Sequence, residues 1–237
     1  MNNYRVQQTD AISFLSSLPR GSAKLIVTDP PYDIPNTKAG GNSNLAKTMQ
    51  SYQDELRLNS LDKCLGVAWC EYISHIQDGK INCYIFCNKK QIPMYLNYFV
   101  GKLKCSFDIL IWYKTNTPPT FYNKYMSDKE YCLYFRKSGY CMPADHKDAC
   151  TLFTSPMNVK DKQSFQHPTV KPLEMIDRII RNSSQVGDTV IDPFMGSGTT
   201  GVSAVKNGRL FMGCDINDQF VATSQARLFD AQMEMNK

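Results

Sequence analysis

Residues 192–201, Asp-Pro-Phe-Met-Gly-Ser-Gly-Thr-Thr-Gly, follow the strand-like run Thr189-Val190-Ile191 and lead into a helix-forming stretch, Thr199–Lys206. Gly196, Gly198 and Gly201 fit the spacing G-x-G-x-x-G, and Asp215 closes the next strand-like run, Arg209–Cys214. A strand, a glycine turn, a helix and a second strand ending in an acid make a βαβ unit. Such a unit commits the chain to an α/β fold with a mostly parallel sheet and helices on both faces.

The turn is open to several ligands. A phosphate-binding ATPase loop needs Gly-Lys-Ser/Thr, which is absent here. The glycines alone suit a nicotinamide or flavin dinucleotide. They equally suit a nucleoside without a pyrophosphate, S-adenosylmethionine, because small residues let the backbone approach and free N–H groups at the helix start face a carboxylate. Asp192 then accepts from an ammonium and Asp215 from ribose hydroxyls. A turn that merely joins strand to helix leaves the two acids unexplained.

Only a helix, Asn217–Met235, follows Asp215, yet a nucleoside site needs a further strand to cover the base. Tyr4–Gln8 can supply it if the order is circularly permuted, placing Asp10 near the adenine. Thr9 or Asp10 caps a helix over Ala11–Leu18. Other expected elements are strands at Leu25–Val27, Ile81–Cys87, Phe107–Tyr113 and Glu130–Phe135. Helices are expected at Leu61–Ile76, Ile92–Val100 and Leu173–Ile180, with Pro172 suited to a first turn. Residues 33–60 and 114–129 read as loops, and 138–170 have no clear period.

Asp29-Pro30-Pro31-Tyr32 ends the short buried run Leu25-Ile26-Val27. Ligands of open α/β sheets lie beyond the carboxyl ends of the strands. Two prolines fix the turn, so the Asp29 carboxylate, the Pro30 carbonyl and the Tyr32 ring converge on one point. That arrangement suits a planar ring bearing an NH2 group. Such an amine shares its lone pair with the ring and is a weak nucleophile. Acceptors that draw it toward tetrahedral geometry localise the pair and stabilise the charge that grows on transfer.

Together these blocks resemble the permuted β class of amino-group DNA methyltransferases. The likeness is carried by residues 9–34 (TDAISFLSSLPRGSAKLIVTDPPYDI), 167–172 (HPTVKP), 192–204 (DPFMGSGTTGVSA) and 209–218 (RLFMGCDIND), with the catalytic block first and the glycines last. The resemblance touches 109–114 and 130–137 too. It implies a Rossmann-like, seven-stranded, circularly permuted fold in one catalytic domain over 1–237. Asp29, Pro30 and Tyr32 would bind and activate the amine. The cofactor S-adenosylmethionine would be held by Asp10, Ala11, Asp29, His167, Thr169, Lys171, Asp192, Phe194, Gly196, Ser197, Gly198, Thr199 and Asp215. No metal is implied. In this class the cytosine enzymes more often carry Ser where Asp29 stands, so Asp favours adenine N6 over cytosine N4.

Target recognition in the class lies between the two halves, which here leaves about 138–166 and the loop at about 33–60. Residues 80–171 carry 14 Lys and Arg against 6 Asp and Glu, whereas the whole chain has a net charge of only +5. A basic middle suits a polyanion such as DNA, and a solvated lysine-rich surface fits the charge alone equally well. Lys89, Lys90, Lys114, Lys124, Lys129 and Lys137 are candidates for phosphate, Tyr122 and Tyr125 for base stacking. The target base must be flipped out to reach the corner.

Three other readings stand beside this one. A nicotinamide oxidoreductase leaves Asp-Pro-Pro-Tyr unexplained. A non-catalytic DNA-binding relic conflicts with the intact polar residues. A protein-glutamine methyltransferase would begin its corner with Asn. Nine scattered cysteines without a Cys-x-x-Cys pair read as buried reduced thiols. No apolar run reaches the roughly 20 residues of a membrane span, and the polar start has no signal core. The expected setting is the cytoplasm, or a host's cytoplasm for a viral gene. Relatives in the class are often homodimers.

Overall fold

The computed structural model describes residues 2–33, 47, 50, 51, 54, 64–119, 125–157 and 170–235. Among the described residues eight strands form one sheet, in the order β1-β8-β7-β2-β3-β5-β4-β6. They are β1 (Tyr4–Gln8), β2 (Leu25–Thr28), β3 (Ile81–Cys87), β4 (Ser106–Lys114), β5 (Lys129–Lys137), β6 (Leu152–Ser155), β7 (Thr189–Asp192) and β8 (Leu210–Asp215). All pairings are parallel except those of β5, which runs against both β3 and β4.

The central strands are mostly apolar because both faces are covered: every residue of β2 and β3 is buried, the polar Thr28 and Asn82 included. One face packs against α1 (Ala11–Ser17), a 3-10 turn at Ala68–Tyr72, α2 (Ile73–Ile76) and α3 (Ile92–Leu96), through Phe14, Trp69, Ile73 and Tyr95. The other packs against α5 (Leu173–Ser183), α6 (Thr199–Lys206) and α7 (Asp218–Met235), through Ile176, Ile179, Val202 and Leu228. The short helix α4 (His146–Ala149) lies between β5 and β6 in the chain. Among the described residues no helix is long and apolar enough to cross a membrane.

The strand that covers the glycine turn is β1. It pairs with β8 from Tyr4↔Phe211 to Gln8↔Asp215, so the permuted order holds. Asp10 caps α1, its carboxylate accepting from Ser13 N at 2.9 Å. Gly198 adopts φ +80°, and a Cβ there would lie 2.8 Å from Ser224 Oγ. At Gly201 a Cβ would lie 2.6 Å from the Phe211 ring, so α6 rests directly on β8.

Three expectations change. The sheet has eight strands rather than seven, and the additional one, β6, lies in the stretch read as lacking a period. A continuous helix over Leu61–Ile76 is absent from 64–76, where Gly66 at φ +65° interrupts it and only the 3-10 turn and α2 follow. The helix expected over Ile92–Val100 leaves α geometry at Asn97 and winds as a π turn to Lys102.

Residues 138–157, the first part of the expected recognition segment, lie against the fold. Met142 N donates to Asn182 O at 2.7 Å, Asn182 Nδ2 donates to Asp148 O at 2.8 Å, and β6 extends β4. Residues 158–166, and most of the 33–60 loop, are outside the described residues.

Candidate active site

Asp29 follows the last residue of β2, and Asp192 is the last of the neighbouring strand β7. Both therefore reach the carboxyl edge of the sheet. The Asp29–Tyr32 corner is held from behind by the turn after β3. Gln91 Nε2 donates to Pro31 O at 3.0 Å, and Asn88 Nδ2 donates to Asp33 O at 2.8 Å. Pro30 is buried, as a turn packed into the sheet edge requires.

A cluster of charge surrounds the corner. Lys171, from the segment before α5, donates to Asp29 Oδ2 and lies 2.8 Å from Glu130 Oε1. Tyr32 Oη donates to the same Glu130 oxygen at 2.7 Å, and Lys114 Nζ lies 2.6 Å from Glu130 Oε2. The Lys171 ammonium also stands 5.5 Å from the centre of the Tyr32 ring and 5.1 Å from that of Phe86. Asp29 Oδ1 is buried and has no hydrogen-bond partner among the described residues.

Burial dominates the titration of this group. It pushes Asp29 up, Lys171 only partly offsets it, and Glu130 adds to the rise. For Glu130 burial works in the same direction, but Lys171 and Lys114 outweigh it and hold the carboxyl well below the usual range. Burial lowers Lys171, yet Asp29 and Glu130 outweigh it, so the ammonium stays charged. Burial raises Tyr32 well above an ordinary phenol, with Asp29 and Glu130 adding to the effect.

Beside the corner a cavity of about 280 Å³ runs along the strand ends. Asp29, Lys171 and Phe86 line one end, and Asp10, Ala11 and Asp215 the other. Asp192, Phe194, Gly196, Ser197 and Thr199 lie between them. The structure thus brings together ten of the expected cofactor residues. Gly198 stands just outside the lining, where it caps α6. His167 and Thr169 are outside the described residues.

Asp192 accepts from Thr28 Oγ1 at 2.7 Å and from Phe194 N at 3.0 Å. Burial still pushes its carboxyl up to about 7. Asp215 accepts from Gly196 N at 3.0 Å and Asn217 N at 2.9 Å, and burial raises it as well. It therefore braces the glycine turn while facing the cavity.

The expected DNA-facing residues divide. Lys89 and Lys90, after β3, and Lys129, at the start of β5, are exposed at the edge where the corner lies. Tyr125 is 98% exposed. Lys114 reaches that edge too, but it is spent on Glu130 and its side chain is only 17% exposed. Lys137 pairs with Ile81 at the start of β3, so it sits at the far edge of the sheet, roughly 20 Å of strand away from the corner. It cannot share a surface with the corner. Tyr122 and Lys124 are outside the described residues.

Glu130, Phe86 and Gln91 were not singled out from the sequence. Glu130 could have been: it is the acid that opens an otherwise apolar strand. Because β5 is antiparallel, it begins where its neighbours end, which places Glu130 at the functional edge.

Comparison with known proteins agrees with this geometry. Residues 23–226 match a family model described as DNA methylase, of the N6 and N4 methyltransferase type. The type II methyltransferase M2.DpnII of Streptococcus pneumoniae is 30% identical, over 99% of this chain and 92% of that protein. The type II methyltransferase M1.MboII of Moraxella bovis is 27% identical, over 98% of each. The solved structure of M1.HpyAVI with SAM has a TM-score of 0.67 at 24% identity, covering 94% of this chain and 99% of that one. That of the cytosine-N4-specific PvuII methyltransferase has a TM-score of 0.69 at 15% identity, covering 98% and 92%. With the family match spanning most of its length and the Asp-Pro-Pro-Tyr corner and glycine turn meeting at one cavity, this chain belongs to the amino-group DNA methylases.

Proposed function

We propose that the protein methylates the exocyclic N6 of an adenine flipped out of DNA, using S-adenosylmethionine. The observation that carries this reading is the free acceptor Asp29 Oδ1, buried at the mouth of a cavity whose other end carries Asp10 and Asp215.

The cavity fits the cofactor in its chemistry. Asp192 offers a carboxylate for an ammonium, Gly196 and Ser197 offer an unobstructed backbone, and Asp215 and Asp10 offer acceptors for ribose and adenine. When bound, S-adenosylmethionine supplies an electrophilic sulfonium methyl. Asp29 and the Pro30 carbonyl accept the two N–H bonds of the target amine and localise its lone pair. Negative charge on Asp29 stabilises the positive charge that develops on nitrogen. The Tyr32 ring, tied by its hydroxyl to Glu130, stacks on the base and keeps water from it. A carboxylate at position 29, rather than a hydroxyl, supports adenine over cytosine.

Lys89, Lys90, Lys129 and Tyr125 flank the corner and suit the DNA backbone and bases. Recognition of sequence then falls to about 138–166 and the 33–60 loop. The protein acts where DNA is, in the cytoplasm of its cell or host.

The test is to incubate the protein with DNA and labelled S-adenosylmethionine, digest the DNA, and separate the nucleosides by mass spectrometry. The expected product is N6-methyl-2′-deoxyadenosine. N4-methyl-2′-deoxycytidine would overturn the choice of base, and no labelled nucleoside would overturn the activity.

A further inference from the structure

Four charged side chains meet at the corner, and they balance: Asp29 and Glu130 against Lys171 and Lys114. Lys171 is 6% exposed and Asp29 partly buried, so a surplus charge here is costly. Glu130 is the hub. Its Oε1 accepts from Tyr32 Oη and Lys171 Nζ, and its Oε2 from Lys114 Nζ.

The division of Lys171 between two carboxylates has a consequence for Asp29. An ammonium has three donors. One of them goes to Asp29 Oδ2 and another to Glu130, while Asp29 Oδ1 has no partner among the described residues. Without the Glu130 carboxylate, Lys171 would have only Asp29 as a counter-charge and would turn more of its donors toward it. Lys114 would add an unbalanced positive charge at the same place.

We propose that Glu130 is a positioning residue of the amine pocket: it draws Lys171 and Lys114 to itself, so that Asp29 keeps one oxygen free for the target amine. This rests on the reading of Asp29 as the amine acceptor. Glu130 acts through Lys171 and the charge balance, and makes no contact with the base.

The experiment is a double-mutant cycle on the full chain with Glu130→Gln, Lys114→Met and the pair combined. Each protein is measured for thermal midpoint and for turnover and KM in transfer from S-adenosylmethionine to DNA. Glu130→Gln leaves three charges. It should cut kcat by about tenfold to a hundredfold, leave the KM for cofactor within about threefold, and lower the thermal midpoint. Adding Lys114→Met restores neutrality and should recover kcat about tenfold and raise the midpoint above that of Glu130→Gln alone. If the double variant is no better than Glu130→Gln in both readouts, the proposal falls, and Glu130 contacts the base or only supports Tyr32. If the wild type transfers no methyl to DNA, the proposed activity fails instead. The midpoints then decide this inference alone: recovery in the double variant upholds it and none overturns it.

Discussion

Lys171 Nζ lies 2.8 Å from Glu130 Oε1, tying the segment before α5 to the start of β5 across the catalytic corner. The same ammonium holds Asp29, so one cation fixes the spacing of two partly buried carboxylates. Lys171→Met removes it and leaves the pair facing each other. We expect a loss of about 3 kcal/mol at pH 8, as for other broken buried ion pairs. Without the cation the Asp29 carboxyl rises further while Lys114 still holds Glu130, so the folded protein keeps a proton on Asp29 that the unfolded chain has released. Stability should then recover as pH falls from 8 to 5. Urea unfolding at both pH values checks this; an equal deficit at each would contradict it.

Asp29→Ala should separate chemistry from binding. Lys171 keeps Glu130 as its partner, so the fold survives. Methyl transfer should drop by about a hundredfold to a thousandfold, the scale on which removal of a preorganised acceptor or donor acts. Cofactor affinity, measured by calorimetry, should stay within about tenfold because most of the cavity lining is untouched. Persistent transfer would remove Asp29 from its role.

Asp192 should link cofactor binding to pH. Burial pushes its carboxyl up to about 7. Between the usual carboxylate range and that value the native protein is protonated here and the unfolded chain is not. The group therefore favours the fold as pH falls from about 8 to 5, by about 3 kcal/mol. A cationic ammonium reverses the preference, because only the ionised form pairs with it. Affinity for S-adenosylmethionine should weaken about tenfold from pH 8 to 6, with proton release on binding. Calorimetry in buffers of different ionisation enthalpy measures the release, and Asp192→Asn should abolish its pH dependence.

DNA affinity should fall steeply with salt. Lys89, Lys90 and Lys129 are exposed at the catalytic edge, and each Lys→Ala change should reduce the slope of log K against log salt by about 1. Lys137→Ala, at the far edge, should leave it unchanged. Fluorescence anisotropy over a range of salt concentrations gives the slopes. A slope that responds to Lys137 and not to Lys89 would refute this placement of the DNA.

Much of this architecture was legible because the informative segments are local. Leu25–Val27 is apolar throughout and Ile81–Cys87 is apolar but for Asn82, as suits doubly covered strands, and both form strands. The glycine turn needs its residue types for backbone reasons alone. What was not legible depends on partners distant in the chain. Strand β6 buries only Phe153 and exists because Ile111–Lys114 of β4 lie beside it. Lys114 reads from the sequence as a candidate for phosphate because nothing in its neighbourhood announces Glu130. Glu130 in turn gains its place from the direction of β5, which follows from pairing and not from its own four or five neighbours. The helix expected over Leu61–Ile76 has apolar spacing in its favour, but a glycine in the left-handed region overrides it.

The pairing of Tyr4 with Phe211 and Gln8 with Asp215 bears on how the protein comes into being. β1 is made before its partner, which leaves the ribosome only after β2 to β7, roughly 10–40 s later at ordinary rates of translation. Until then β1 presents an unmatched backbone edge, and Asp10 has no Asp215 beside it. A nascent chain carrying the complete Asp29–Tyr32 corner still lacks the glycine turn and the acid that brace the other end of the cavity. Methylating capacity therefore arrives in a single late step, and a ribosome that stalls before Leu210 releases a polypeptide with an intact corner and an aggregation-prone edge.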